Sequence, residues 1–164
     1  VAQIRTKHKI SDGGDLYLFF TTNLNNDKIV VVANQLKNTH NLKSIISQIH
    51  SIEPKESVGY NRAFIAKKKT ITATIPIGHA DGISRKLGNG IGHVLINGQK
   101  ASIIGNVCMD MIMVDITTID CAEGDEVIIF NSQDMIQEMA DATATIPYET
   151  LTAISQRVQK KLKS

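Results

Sequence analysis

The spacing of hydrophobic and polar positions changes along the chain. From residue 57 to the last quarter, short apolar segments rich in β-branched residues alternate with turns of Gly, Asn and Asp, which is typical of an all-β barrel or sandwich. Before residue 42, the apolar segments 16–20 and 29–33 predict two strands joined around residues 23–27, and the polar stretch 36–41 indicates a linker. The chain therefore divides into an N-terminal segment, residues 1–41, and a β-rich domain, residues 42–164.

The most apolar segment is 105–116, which contains β-branched residues and methionine and is bounded by turns. Its length and composition predict a central strand that is buried on both faces. In such a strand, Cys108 and Asp110 would lie on one face and Met109 on the other. A carboxylate there needs hydrogen-bond donors or water at a cleft, so Asp110 is either a structural residue or part of a site.

Two further patterns predict a hairpin and two helices. Asn97 and Gly98, which both tolerate positive φ, stand between two apolar segments and predict a tight hairpin. In the last quarter, apolar positions recur at helical spacing near residues 135–140 and 151–158. Pro147 suits the first turn of the second helix, where its missing N–H costs nothing.

Composition and charge narrow the class of protein. With 42% hydrophobic and 21% charged residues, the 164-residue chain is typical of a globular protein, and its two cysteines, Cys108 and Cys121, allow one disulfide at most. We therefore expect a reducing, cytoplasmic location. The net charge of +2 and the aromatic-free basic run 67–69 argue against nucleic acid as a partner, and no apolar run is long enough to span a membrane. The first residue is valine, so we expect a part of a longer protein.

Three polar clusters at predicted strand ends carry the candidate chemistry, namely residues 57–62, 78–82 and 108–110. The second and third clusters contain metal-ligand residue types, but their spacing matches no zinc site, so we predict no metal. A nucleophilic pair of Cys108 with a histidine is chemically possible, although a cysteine in a methionine-rich buried strand is usually inert.

Tyr60 has two interpretations. Between small and polar residues and close to Arg62, it is either a hydrogen-bonding residue at a strand end or a proton-transfer group. A tyrosine accepts protons poorly at neutral pH unless a nearby cation stabilises the phenolate. The residues alone leave both interpretations open.

Five motifs together resemble a known family. They occur in the order and spacing found in alanine racemases, and they are similar to the C-terminal β domain of that family from about residue 42 to the end. The motifs are Glu56-Ser57-Val58-Gly59-Tyr60, Ile75-Pro76-Ile77-Gly78-His79-Ala80-Asp81-Gly82, Asn97-Gly98-Gln99, Ile104-Gly105-Asn106-Val107-Cys108-Met109-Asp110 and Thr145-Ile146-Pro147-Tyr148-Glu149. The resemblance implies a mainly β fold, a β barrel followed by two short helices.

The resemblance further implies an isomerase that interconverts L- and D-alanine for peptidoglycan synthesis. In the family, an N-terminal (β/α)₈ barrel holds pyridoxal 5'-phosphate on a lysine, and the β domain completes the site on the barrel of its homodimer partner. Tyr60 then corresponds to the base on the L-alanine face. Met109 corresponds to the residue whose backbone N–H binds the substrate carboxylate, and Tyr148 to the one whose hydroxyl binds the cofactor phosphate.

Some positions depart from the family pattern. His79 stands where the family commonly has a tyrosine at the inner gate, and Asn106 stands where many relatives have arginine. Together with Arg85, these residues are expected at the entrance to the site. Cys108 and Asp110 are expected to support the loop that presents the Met109 backbone.

The 164 residues contain no barrel and no pyridoxal lysine motif. Residues 1–41 are too short for a barrel and are either a remnant of one or a linker, so we expect this chain to be inactive without a barrel. The alternative is a non-catalytic dimerisation or binding module derived from the same domain. The loop 85–90 resembles versions of the domain that are fused to a cell-wall peptide ligase.

Overall fold

The structure is a computed structural model that describes residues 3–9, 15–21 and 41–159. The chain forms two units, the first of residues 1–39 with 161–164 and the second of residues 40–160. In the first unit, strand β1 (Gln3–Lys9) pairs antiparallel with strand β2 (Asp15–Thr21). The predicted strand at 16–20 is therefore confirmed. Its predicted partner at 29–33 and the linker before residue 41 lie outside the described residues.

The second unit is built on one antiparallel sheet of seven strands. In sequence order the sheet strands are β3 (Leu42–Ile45), β4 (Gln48–Ile52), β7 (Thr70–Ile75), β8 (His93–Ile96), β9 (Gln99–Ile104), β10 (Ile112–Asp115) and β11 (Glu126–Phe130). Two short strands, β5 (Ser57–Val58) and β6 (Phe64–Ile65), pair separately. The spatial order in the large sheet is β3-β11-β8-β9-β10-β7-β4.

The order of the strands shows that the sheet curls. Strands β3 and β4 lie at opposite edges, yet only Ile46 and Ser47 separate them in sequence. The Ile46 N–H donates to the Asp125 carbonyl at 3.0 Å, and the Ser47 N–H donates to the Thr74 carbonyl at 2.9 Å. The three steps from Ile45 to Gln48 span at most about 10 Å, so the edges must approach each other. A mainly β, barrel-like fold is thus confirmed.

The predicted hairpin is also confirmed. Strands β8 and β9 are joined by Asn97 and Gly98, whose φ angles are 49° and 77°. Ile96 lies directly opposite Gln99, as a two-residue turn requires.

Two helices follow the sheet, as predicted. Helix α1 (Gln133–Thr143) begins after Ser132, whose hydroxyl accepts a hydrogen bond from the Met135 N–H at 3.2 Å. Helix α2 (Pro147–Thr152) has proline in its first turn. The prediction of helix at 151–158 is wrong beyond Thr152. Apolar side chains in that stretch pack against the core from turns instead.

The predicted central strand at 105–116 is wrong in its first half. Strand β10 covers only Ile112–Asp115, and residues 105–111 form a loop. Gly105 has a φ of +63°, which directs the chain out of the sheet immediately after β9. Cys108, Met109 and Asp110 therefore do not alternate between two faces of a strand.

The core has two parts. A large cluster fills the inside of the curled sheet and contacts α1, with Phe130, Ile75 and Ile112 among its fully buried members. A small second cluster joins β5 to the sheet and to the loop 105–111; it contains Val58, Ile104, Cys108 and Met113. No helix within the described residues combines the length and hydrophobicity needed to cross a membrane.

One titratable residue links the sheet to α1. His93, the first residue of β8, lies 3.4 Å from Glu138 of α1, measured from Nε2 to Oε2. Partial burial, followed by the charge of Lys100, lowers the pKa of His93, whereas Glu138 acts in the opposite direction. The neutral imidazole is therefore favoured in the folded state.

The first prediction concerns the pH dependence of unfolding. Because the pKa of His93 is lower in the folded state, the unfolded chain binds the proton more readily, and stability falls as the pH falls through about 6.5. His93→Gln should reduce the loss of unfolding free energy between about pH 7.5 and about pH 5.5, and Glu138→Gln should increase it. Urea midpoints at both pH values measure the effect. If the midpoint fell by the same amount between the two pH values in the parent chain and both variants, His93 would not be the source of the pH dependence.

Candidate functional site

The candidate residues lie on loops at one end of two neighbouring strands. Ile75, the last residue of β7, pairs with Ile112, the first residue of β10. The segment that leaves β7 and the segment that enters β10 therefore emerge side by side. These segments are the turn 78–82 and the loop 105–111, which carry two of the sequence motifs.

The turn 78–82 is closed by its own aspartate. The Gly78 N–H donates to Asp81 Oδ2 at 2.9 Å, and residues 79–81 form one turn of 3₁₀ helix. Gly82 ends the turn with a φ of +107°, a conformation that favours glycine. Asp81 is only 8% exposed, so its charge is held largely inside the protein.

The turn and the loop are joined by their backbones. The His79 N–H donates to the Cys108 carbonyl at 2.9 Å, and the Ala80 N–H donates to the Met109 carbonyl at 2.8 Å. A Cβ on Gly78 would lie 2.5 Å from the Met109 carbonyl oxygen, so only glycine allows this approach. The His79 backbone is thereby fixed against the loop, and Nδ1 of its exposed side chain lies 3.2 Å from the Ile83 carbonyl oxygen.

The three residues of the loop have different environments. Cys108 is buried in the small cluster, and its thiol donates to the Asn106 carbonyl at 3.6 Å. Met109 is 59% exposed, and no described residue accepts a hydrogen bond from its backbone N–H. Asp110 is also exposed. Cys108 therefore anchors the loop, whereas Met109 and Asp110 are exposed.

Arg157 contacts both the loop and the turn. Its Nη2 lies 2.7 Å from Asp110 Oδ1, and its Nε lies 3.5 Å from Asp81 Oδ1. The hydrogen bond to Asp110, followed by the charges of Asp81 and Asp110, raises the pKa of Arg157. Arg157 was not among the predicted site residues, because it lies 47 residues from Asp110 and in none of the motifs.

Tyr60 lies on a strained turn. Gly59, Asn61 and Arg62 have φ angles of 76°, 59° and 51°, and Tyr60 between them is 71% exposed. The Tyr60 carbonyl accepts a hydrogen bond from Asn106 Nδ2 at 3.2 Å. The backbone is therefore held from behind while the phenol faces outward.

Asn106 connects two parts of the site. Its Oδ1 accepts from Asn89 Nδ2 at 3.1 Å while its Nδ2 donates to Tyr60. The Asn89 N–H also donates to the Gly105 carbonyl at 2.7 Å. The loop 85–92 is thus attached to the loop 105–111. Asn89 was not among the predicted site residues, because its role depends on a tertiary contact.

The remaining two candidates lie further from this network. Arg85 begins a 3₁₀ turn and is exposed. Tyr148 lies in the first turn of α2, where it is 71% exposed, and its hydroxyl forms no hydrogen bond within the described part of the chain. The structure therefore brings together Tyr60, His79, Asn106, Cys108, Met109 and Asp110. It leaves Tyr148 without a direct contact to them.

The candidate site is an exposed surface. A groove of about 300 Å³ is present near α2, but its lining contains none of the eight candidate residues. The lining includes Lys86, whose Nζ donates to the Thr143 carbonyl at 2.7 Å. Among the described residues, no three His, Cys, Asp or Glu side chains converge to form a metal site.

Comparisons with known proteins give a consistent family. The family described as "Alanine racemase, C-terminal domain" matches residues 39–162. The alanine racemase of Helicobacter pylori strain P12 is 38% identical over 149 residues, which are 88% of this chain and 38% of that protein. The chain therefore spans less than half the length of this relative.

Solved structures agree with the sequence match. The alanine racemase from Bartonella henselae, solved with covalently bound pyridoxal phosphate, is 34% identical with a TM-score of 0.71, over 75% of this chain and 34% of the other. The alanine racemase of Clostridium difficile 630 in complex with cycloserine is 40% identical with a TM-score of 0.67, over 72% of this chain and 32% of the other.

The close approach at Gly78 gives the second prediction. Gly78→Ala should lower the free energy of unfolding by about 2–4 kcal/mol, because its Cβ meets the backbone of the loop 105–111 and neither segment can yield easily. Urea denaturation measures the loss.

Gly90→Ala is the matched control for this substitution. At Gly90, φ is +84° but nothing lies within 4 Å of an added Cβ, so alanine should cost only about 1 kcal/mol through left-handed strain. If Gly78→Ala proved no more harmful than Gly90→Ala, the crossing would not be as tight as described.

Proposed function

Because the chain belongs to the alanine racemase family through its C-terminal domain, we propose that it forms one wall of an active site that interconverts L- and D-alanine in the complete protein. The observation that carries the proposal is the arrangement of Tyr60 and Met109. Both are exposed, and both have their backbones held: the Tyr60 carbonyl accepts from Asn106 of the loop 105–111, and the Met109 carbonyl on the same loop accepts from the Ala80 N–H. An exposed but rigid pair of groups suits a surface that acts on a ligand held by another part of the protein.

The wall fits pyridoxal phosphate, the group bound in the Bartonella henselae relative. The Tyr148 phenol is an exposed O–H donor without a protein partner in the described residues, and such a donor can hold a phosphate oxygen. The family resemblance assigns the lysine that carries the cofactor to a barrel outside this chain. When bound, the cofactor draws electron density from the α-carbon of alanine.

Tyr60 is the proposed base on the L-alanine face. Its Oη would take the α-proton of L-alanine and return a proton to the same face in the reverse direction. The hydrogen bond from Asn106 to the Tyr60 carbonyl holds the backbone from which the phenol projects. A cation from the partner barrel would have to stabilise the phenolate.

Met109 is the proposed substrate-binding residue. Its N–H points to no acceptor in the described part of the chain, whereas its carbonyl is occupied by the Ala80 N–H. A backbone N–H is a suitable donor for a carboxylate, and a loop that is already fixed loses little conformational freedom when it binds one. Cys108 supports this loop from the buried side.

Three residues are proposed at the entrance, namely His79, Arg85 and Asn106. Each is at least partly exposed on the loops around Tyr60 and Met109. The wider proposals are a homodimer in which this domain faces the partner's barrel, a role in peptidoglycan synthesis and a cytoplasmic location. The division at residue 41 also stays a prediction.

The third prediction is that the 164-residue chain does not racemise alanine by itself. Two bases on opposite faces are needed, and this chain supplies the one proposed for the L-face. The purified chain with added pyridoxal phosphate should leave L-alanine unchanged, as measured by chiral chromatography. Turnover by the purified chain would overturn the assignment of the second base to a barrel.

The fourth prediction tests Tyr60 in a chimera in which residues 39–162 replace the matching part of the Clostridium difficile enzyme. Tyr60→Phe should slow α-proton loss from L-alanine by about 10²–10⁴-fold, and loss from D-alanine far less, because a phenyl ring cannot accept the proton. Deuterium uptake from D₂O measures each direction separately.

Tyr148→Phe is the matched control, because Tyr148 is equally exposed. Without its hydroxyl, the chimera should retain pyridoxal phosphate less well and slow in both directions alike. A folded chimera without activity, or equal small losses in both directions for Tyr60→Phe, would refute the proposed function.

A further inference from the structure

Two carboxylates lie beside the backbone that the proposed function uses. Asp110 follows Met109 directly, and Asp81 lies in the turn whose Ala80 N–H binds the Met109 carbonyl. Alanine brings a carboxylate of its own to this place. Two uncompensated negative charges within a few ångströms would oppose its binding, since like charges repel most strongly where water is partly excluded.

A single cation contacts both carboxylates and offsets part of their negative charge. Arg157 donates from Nη2 to Asp110 Oδ1 at 2.7 Å and lies with Nε 3.5 Å from Asp81 Oδ1. The guanidinium has donors in a fixed plane, so it can contact two carboxylates on separate loops, as a lysine ammonium cannot do equally well. Asp81 is mostly buried and therefore needs such a partner.

The segment that carries Arg157 is attached to the same turn. The Ser155 N–H donates to the Asp81 carbonyl at 3.1 Å, and a Cβ on Gly82 would lie 2.4 Å from the Ala153 carbonyl oxygen. The chain after α2 is thus packed directly on the turn 78–82. Arg157 is held where it can reach across to the loop 105–111.

We propose that Arg157 is a positioning residue for the substrate carboxylate. It joins the turn 78–82 to the loop 105–111, and its positive charge offsets part of the negative charge of Asp81 and Asp110, so that less negative charge lies beside the Met109 N–H. This inference rests on the proposed function for its second half only. The first half concerns the folded chain alone.

Hydrogen exchange of the 164-residue chain tests the first half. In Arg157→Gln, the His79 and Ala80 amides should exchange about fivefold faster than in the parent chain, because the loop that accepts their hydrogen bonds is less restrained. Amides in the β8–β11 pairing should be unchanged. The Asp110→Asn variant, which removes one exposed carboxylate, should show a smaller increase at the same two amides, and it serves if Arg157→Gln does not fold.

Lys43→Gln is the matched control for a lost surface ion pair. Lys43 Nζ contacts Glu126 at 2.8 Å and 2.9 Å, on β3 and β11, neither of which pairs with β7 or β10. It should leave the His79 and Ala80 amides unchanged. If Arg157→Gln accelerates these amides no more than Lys43→Gln does, the proposed restraint is absent.

Kinetics of the chimera test the second half. Arg157→Gln should raise KM for alanine by about fivefold to tenfold and change kcat less, because repulsion weakens binding of the carboxylate. Adding Asp110→Asn to Arg157→Gln should lower KM part of the way back to the parent value, because the second substitution removes one of the uncompensated negative charges. A purely structural role would make the double variant at least as poor as the single one.

The outcomes separate the two claims. Faster amide exchange with unchanged KM would overturn the role toward the substrate and keep the restraint. A double variant that is no better than Arg157→Gln would overturn the electrostatic role. If the parent chimera folds but does not racemise alanine, the proposed function is wrong. The proposed role of Arg157 toward the substrate carboxylate is then wrong as well. The exchange data still decide the first half.

Discussion

The arrangement of the loops depends on one backbone crossing, at Gly78. Here the segment leaving β7 passes so close to the loop entering β10 that a Cβ would lie 2.5 Å from a carbonyl oxygen. The crossing allows two N–H groups of the turn to reach the Cys108 and Met109 carbonyls. The antiparallel register of β7 and β10 delivers both segments to the same end of the sheet. The loop 105–111, which this contact holds, carries Cys108, Met109 and Asp110 and binds the Tyr60 carbonyl through Asn106.

Local patterns predicted the parts of the fold that local physics controls. The hairpin at Asn97 and Gly98 was predictable because both residues must adopt positive φ. The start of α2 was predictable because Pro147 has no N–H to lose. The loop 105–111 was mistaken for a strand because Val107 and Cys108 are buried from a loop, and hydropathy does not distinguish that burial from burial within a sheet.

The site residues also differ in how far local sequence could predict them. The motifs located Tyr60, His79 and Met109, whose roles stay predictions, but they gave no sign of Asn89 or Arg157. These two residues act through side-chain contacts to residues 17 and 47 positions away. Such contacts depend on which strands pair, and a single sequence contains no local signal for them. The two supporting residues without a local sequence signal were therefore harder to predict than the residues within the motifs.

The contrast between buried and exposed residues explains how exposed loops can keep a single conformation. Asp81 and Cys108 are 8% and 7% exposed, whereas Tyr60 and Met109 are 71% and 59% exposed. An uncovered loop would ordinarily sample many conformations, because few contacts offset its entropy. Here the restraints lie behind the loops, in a buried carboxylate, a small apolar cluster and a chain of amide side chains. The loss of conformational entropy therefore occurs when the domain folds, and little further loss would oppose binding of the proposed partner barrel.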